Sequence, residues 1–262
     1  MTIELAARLL CALLGFSLIL QTLEFLKIEL SGDTRRIWCW SVQKDDLSHT
    51  WQWLQGLLAL VYSSRAHKFH LMIRLGCATS LFWGSTPVIS VLLFTSNVLL
   101  LIRWRGSFNG GSDFMTVIVL TGIVIADLLT PVAGEVLAWR AALWYVTLQA
   151  MTSYFVSGAV KLLNADWRSG RALTYFLDSS VYGPLPPHSV FRHPTVALAC
   201  TWSFILWEIS FPLSLSGIMP ALVFCSIALV FHLLVFRFFS LNRFVWAWSA
   251  SFPAIIYCAS QS

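Results

Sequence analysis

Four ionisable side chains interrupt apolar stretches of this sequence: Glu24, Lys161, Glu208 and His232. A charged group surrounded by hydrocarbon costs several kcal/mol, so an ionisable residue inside an apolar run is a candidate for function. An amine that is kept from water can lose its charge and act as a base, and an imidazole can accept or donate a proton. These residue types therefore indicate proton transfer in apolar surroundings.

Lys161 lies near the end of an apolar run that also contains Tyr154 and Gly158. One interpretation is that its aliphatic stem follows the helix and carries the ammonium to the membrane surface. The other is that the amine is desolvated, is largely uncharged at neutral pH and acts as a base. Gly158, three residues earlier, would let another helix or a flat ligand approach the same helix face.

Glu208 lies in the middle of an apolar run and must be either protonated or paired with a cation. The candidate partners are Lys161, Arg168 and Arg171, and we expect Arg171 to be the partner, with Arg168 second. That pairing would leave Lys161 unpaired and facing a dry pocket beside His232. An alternative role for His232 is a hydrogen bond between two helices.

The composition excludes a soluble protein. Of the 262 residues, 58% are hydrophobic and 11% are charged, whereas soluble domains carry about 25% charged residues. We predict an all-α fold, a polytopic bundle of transmembrane helices that forms a single domain over residues 1–262 without a soluble domain. The net charge of +5 fits cytoplasmic loops in contact with membrane lipids, and no feature indicates nucleic-acid binding.

The apolar runs predict eight or nine spans, depending on whether the short run Trp51–Ser63 crosses the membrane. The sequence Gly84-Ser85-Thr86-Pro87 predicts a break between two of the helices. With nine spans, most basic loops fall on the side of the N-terminus. With eight, we expect them to be scattered over both sides. The positive-inside rule therefore favours nine spans, a cytoplasmic N-terminus and a C-terminus on the opposite side.

Metal binding is not predicted. His67 and His70 flank Lys68, and His188 and His193 flank a proline-rich loop, but neither pair has carboxylate or thiolate residues at ligand spacing. The six cysteines form no CxxC motif, so neither a redox pair nor a zinc site is indicated.

The segment Tyr154–Leu173 (YFVSGAVKLLNADWRSGRAL) resembles the horizontally transferred transmembrane domain, the membrane part of vitamin K-dependent gamma-carboxylase. That family shows a tyrosine, a glycine three residues before a lysine, an Asp-Trp pair, and a glycine followed by a small residue. The matching residues here are Tyr154, Gly158, Lys161, Asp166, Trp167, Gly170 and Ala172. Three further segments are similar to family motifs and occur in the same order: Asn109–Asp113, Trp202–Pro212 with Glu208, and Phe231-His232.

The resemblance implies a membrane enzyme, carboxylase-like or quinol-epoxidase-like, that acts on a vitamin K-like quinone or quinol. Lys161 would be the base that deprotonates the quinol, and His232 would be a second catalytic residue. The substrate-binding residues implied around them are Gly158, Tyr154, Asp166, Trp167, Arg171 and Glu208.

The chain departs from the carboxylase in three respects. Gly111 stands where the carboxylase has a histidine, and one extra residue separates Gly158 from Trp167. The sequence also ends at Ser262 without the large lumenal region that recognises the peptide substrate. The prediction is therefore limited to an enzyme acting on a lipid-soluble substrate such as a quinol, and a peptide or protein substrate stays an option. The alternative is a non-catalytic membrane subunit or maturation partner in a larger complex. A cavity around Lys161 and His232 would favour the enzyme, and a Lys161 turned towards headgroups would favour the subunit.

Overall fold

The computed structural model describes residues 1–31, 40–104 and 110–261, except for the side chain of Asp46 and the surroundings of Gly110. Throughout these ranges the regular structure is helical, which confirms the all-α class. The first helices are α1 (Ile3–Ser31), α2 (Trp40–Gln43), α3 (Gln52–Val61), α4 (Ser64–Ser80), α5 (Pro87–Trp104), α6 (Gly110–Ala133) and α7 (Glu135–Leu163). They are followed by α8 (Ala165–Arg168), α9 (Arg171–Asp178), α10 (Pro194–Ser210), α11 (Ile218–Phe239), α12 (Asn242–Ser249) and α13 (Phe252–Ala259).

Turn-forming residues separate the long helices. The predicted break at Gly84–Pro87 is confirmed, because α4 ends at Ser80 and α5 begins at Pro87. Gly134 has a φ of 80°, which a glycine adopts without steric cost, and it lets α7 fold back directly onto α6. Pro194 occupies the start of α10, where its missing N–H leaves no helix hydrogen bond unmade.

Among the described residues, five helices have both the length and the apolar composition of a membrane span: Ile3–Ser31, Pro87–Trp104, Gly111–Ala133, Pro194–Ser216 and Ile218–Phe239. This is fewer than the eight or nine spans predicted. Helix α4 is 17 residues long and contains Arg74. Helix α7 is long enough but carries polar residues such as Gln149 along its length. The final apolar run is divided near Ser251 into the two short helices α12 and α13.

Consecutive long helices alternate in direction. His67, near the start of α4, and Arg103, near the end of α5, both lie close to Glu29 near the end of α1. Asn242, at the start of α12, donates a hydrogen bond to Glu24. We call the end of the bundle where α1 begins the N-terminal end, and the end where α1, α5, α7 and α11 finish the far end.

The short helix α3 does not add a pass through the bundle. Its 10 residues extend about 15 Å, half of the roughly 30 Å of a hydrocarbon core. The chain therefore leaves α1 and enters α4 at the same end. After contacting Glu24 and Phe16, α12 and α13 run back along α1 towards the N-terminal end. The predicted placement of Ser262 on the side opposite the N-terminus falls on a residue outside the described ranges.

Candidate functional site

Lys161 and Glu208 form an ion pair between α7 and α10. Lys161 Nζ lies 2.6 Å from Glu208 Oε2 and 2.7 Å from Oε1, and it also donates to Ser157 Oγ at 2.6 Å. Ser157 in turn donates to Glu208 Oε1 at 3.2 Å. The glutamate side chain is 2% exposed and the lysine side chain 15% exposed. The pair is thus closed on the carboxylate side and partly open on the amine side.

This geometry confirms that Glu208 is buried against a cation, but the predicted partner, Arg171, is wrong. Arg171 bonds Asp166 at 2.7 Å instead, in a pair that is more than half exposed. Gly170, with a φ of 79°, ends the short helix α8 and starts α9, so Arg171 stays close to Asp166. The prediction that Lys161 is unpaired and faces a dry pocket beside His232 is therefore also wrong.

Gly158 explains why α10 comes so close to α7. A Cβ atom at this position would lie 2.8 Å from Glu208 Cβ and 2.8 Å from the backbone nitrogen of Ile209. Real Cβ atoms do not approach other atoms so closely, so only glycine permits this separation of the helices. The sequence predicted that either a helix or a flat ligand approaches Gly158, and the structure shows a helix, α10. Its approach places Glu208 opposite Lys161, which lies one turn further along α7.

Tyr154 and His232 form a second polar contact from the same face of α7, this time to α11. The Tyr154 hydroxyl lies 2.7 Å from His232 Nε2, and both side chains are almost completely buried. The rings of Trp207, Phe211 and Trp248 surround Tyr154 at centroid distances of 4.0–5.2 Å. His232 therefore makes a hydrogen bond between α7 and α11, which is the alternative role that the sequence allowed for it.

Of the remaining predicted substrate-binding residues, Asp166 and Trp167 lie in α8 and Arg171 begins α9. Trp167 is near the ion pair, because its ring centroid is 5.4 Å from Lys161 Nζ and a second aromatic ring, Phe176, packs against it. Asp166 and Arg171 bond each other on the surface. Of the predicted site residues, the structure thus groups Gly158, Lys161, Trp167 and Glu208, places Tyr154 with His232, and leaves Asp166 and Arg171 outside.

Sequence reasoning missed a buried network around Arg74. This guanidinium is 1% exposed and donates to Gln21, Thr22, Ser96 and Asn97 at 2.6–3.2 Å. Gln21 also donates to Asp113 of α6 at 2.8 Å, so the network joins four helices. The sequence feature that indicates this network is Arg74 itself, an arginine within an apolar run. It is a candidate on the same grounds as the four ionisable residues with which the sequence analysis began. Asn109, four residues before Asp113 in the sequence, lies outside the described residues.

Two other groups of ionisable residues have partners within the bundle. Glu24 accepts hydrogen bonds from Asn242 and from Arg243. His67 lies 3.7 Å from Glu29, and His70 is hydrogen-bonded to Ser96. In the ranges that the structure describes, no three His, Cys, Asp or Glu side chains lie close enough to share a metal ion.

The chain matches no family model, no curated protein and no solved structure. The resemblance to the horizontally transferred transmembrane domain therefore rests on the quoted sequence motifs.

Proposed function

We propose that this chain is an integral-membrane enzyme that binds a lipid-soluble, hydroxyl-bearing substrate such as a quinol at the Lys161–Glu208 pair. The observation that carries the proposal is the asymmetric exposure of the pair, 15% for the lysine side chain against 2% for the glutamate. Trp167 lies beside the exposed amine and offers a flat aromatic surface to a ring-shaped substrate. The family resemblance adds that the lysine occupies the position of the carboxylase base.

The cost of a buried ion pair supports a functional role. Well-packed apolar residues in place of a buried pair usually give equal or greater stability. Ionisable residues inside membrane bundles accordingly mark substrate or proton sites more often than they mark structural ones. The Lys161–Glu208 pair fits this description, since both residues lie within helices that face apolar surroundings.

The pairing assigns roles that differ from those expected for a free amine. Because Glu208 pairs with the amine, the lysine serves as an electrostatic partner and the carboxylate is the final proton acceptor. The substrate O–H bond breaks as its proton moves to Lys161 Nζ, while one Nζ proton moves along the existing hydrogen bond to a Glu208 oxygen. The electron pair stays on the substrate oxygen beside the Lys161 ammonium. In a site with little water, that ammonium stabilises the developing oxyanion strongly.

The test is binding of quinols by the purified protein in air-saturated detergent buffer and their oxidation by dissolved oxygen, the two-electron oxidant, which is reduced to hydrogen peroxide as the quinol becomes the quinone. Ultraviolet absorbance follows the reaction, with vitamin K hydroquinone and ubiquinol-1 as probes. We expect Glu208→Gln to lower turnover by about 100-fold or more, the usual contribution of a general base. Arg237→Gln changes an exposed cation at the same end of the bundle and should leave turnover unchanged. Equal turnover by Glu208→Gln and the wild type would contradict the assigned role.

A second candidate is a non-catalytic membrane subunit. It is favoured by the fact that the same polar contacts tie helices together: Lys161–Glu208 joins α7 to α10, and Tyr154–His232 joins α7 to α11. These contacts are complete without a substrate. A folded wild-type protein that neither binds nor oxidises the quinols would favour this candidate.

We also infer that the chain makes eight passes, with the far end of the bundle on the cytoplasmic side. Most of the described basic residues near helix ends lie at the far end, whereas Arg8 and Arg140 lie near the N-terminal end. Those at the far end are Lys27, Lys44, Arg65, Lys68, Arg103, Arg168, Arg171, Arg192, Arg237 and Arg243. In this proposal eight passes do not scatter the basic residues, because α2 and α3 keep their charges at the same end as the later basic loops. The positive-inside rule then places the N-terminal end on the opposite side of the membrane.

This orientation is tested by cysteine labelling in intact cells. A membrane-impermeant maleimide should react with cysteines introduced at Thr2 and Gln261 without permeabilisation, and with one at Ser48 only after it. The unmodified chain measures labelling of the native cysteines. Labelling of Thr2 and Gln261 from opposite sides would restore the nine-span prediction.

A further inference from the structure

A cavity of about 650 Å³ opens at the N-terminal end of the bundle, away from the Lys161–Glu208 pair. It is formed by the start of α1, the turn between α4 and α5, the end of α6 and the start of α7. Its lining combines three carboxylates, one guanidinium and two indole rings: Glu4, Asp127, Glu135, Arg8, Trp83 and Trp139. Neither Lys161 nor His232 lines it.

Asp127 is the buried polar group in the wall of this cavity. Its side chain belongs to a residue that is 8% exposed, and Oδ1 accepts a hydrogen bond from Ser85 at 2.8 Å. Within the described part of the chain, Oδ2 is buried and has no hydrogen-bond partner. A buried carboxylate oxygen is costly when no donor satisfies it, and a cationic donor satisfies it best.

We propose that the cavity binds the headgroup of an ethanolamine phospholipid. The primary ammonium supplies three N–H donors, one of which fits Asp127 Oδ2, whereas the quaternary ammonium of a choline lipid supplies none. Arg8, which is exposed at the rim, is suited to the phosphate because a guanidinium binds phosphate oxygens in pairs.

The position of the cavity favours a lipid over a free amine. It lies where the helices end, at the depth of the headgroups, and Trp83 and Trp139 are residues typical of that boundary. Apolar side chains such as Phe82 and Val136 continue the lining. They offer surface to the first carbons of the acyl chains.

The experiment is native mass spectrometry of the intact protein in non-ionic detergent, titrated with dioleoylphosphatidylethanolamine or dioleoylphosphatidylcholine. We expect the ethanolamine lipid to be retained at concentrations about tenfold lower than the choline lipid, the factor that corresponds to one charge-assisted hydrogen bond. Asp127→Asn should abolish this preference. Arg8→Gln should weaken both lipids to the same extent, because both carry the phosphate. Asp45→Asn, the same change at an exposed position of the far end, should retain the preference.

Equal retention of the two lipids by the wild type would overturn the proposal, as would an unchanged preference in Asp127→Asn. Arg8 is exposed, so its variant tests the cavity independently of any folding defect at Asp127. Complete displacement of the lipid by an equal concentration of free O-phosphoethanolamine would overturn the assignment to a lipid, and its failure to compete would support it.

Discussion

Lys161→Met is expected to destabilise the protein by about 3–5 kcal/mol, the cost of leaving one member of a buried ion pair without its partner. Glu208 is 2% exposed, so water cannot replace the lost ammonium, and Ser157 offers only one weak hydrogen bond. The variant should therefore unfold at a lower fraction of sodium dodecyl sulfate in mixed micelles. Circular dichroism at 222 nm measures the transition.

Two further variants show whether the loss comes from the unpaired carboxylate. The double variant Lys161→Met/Glu208→Leu removes both charges and should recover most of the stability, since apolar residues replace buried pairs at little cost. Arg171→Met breaks the exposed pair with Asp166 and should cost no more than about 1 kcal/mol, as is usual for surface pairs. A Lys161→Met protein as stable as Arg171→Met would show that Glu208 is not held as the structure describes.

Arg74→Leu should have an effect of similar size, a loss of about 3–5 kcal/mol in the free energy of unfolding, because it removes a buried charge that is hydrogen-bonded to four side chains. Gln21, Ser96 and Asn97 would each lose a hydrogen bond, and the Asp113 carboxylate would lose the nearby positive charge. Arg74→Lys keeps that charge but presents it as a single point, so it cannot reach all four partners and should lie between Arg74→Leu and the wild type.

Arg65→Leu is the matched control for this network, because Arg65 lies exposed on the same helix, α4. It should shift the same unfolding transition by less than about 0.5 kcal/mol, as surface substitutions usually do. If Arg74→Leu and Arg65→Leu unfold together, Arg74 does not join α1, α4, α5 and α6 as the structure indicates.

Membrane character and helical class followed from the sequence because they depend on composition and on the length of apolar runs. The same holds for Gly158 as a site of close helix approach and for Glu208 as a residue that needs a cation. Each of these conclusions depends on the free energy of placing a residue in hydrocarbon. That free energy is the same whichever neighbour compensates it. The proton-transfer function stays a proposal, since the residues that suggest it also have structural partners.

The partners themselves were decided by the tertiary structure. Lys161, Arg168 and Arg171 lie within ten residues of one another, and only the turn at Gly170 and the packing of α10 on Gly158 select Lys161 for Glu208. The Arg74 network draws on helices whose residues are up to 92 positions apart in the chain, as between Gln21 and Asp113. The apolar composition of α3 likewise did not decide whether this helix crosses the membrane. A short apolar helix can cross at a tilt or lie at one end of the bundle. The contacts of His67 and Arg103 with Glu29 place the start of α4 and the end of α5 at the same end of the bundle as the end of α1.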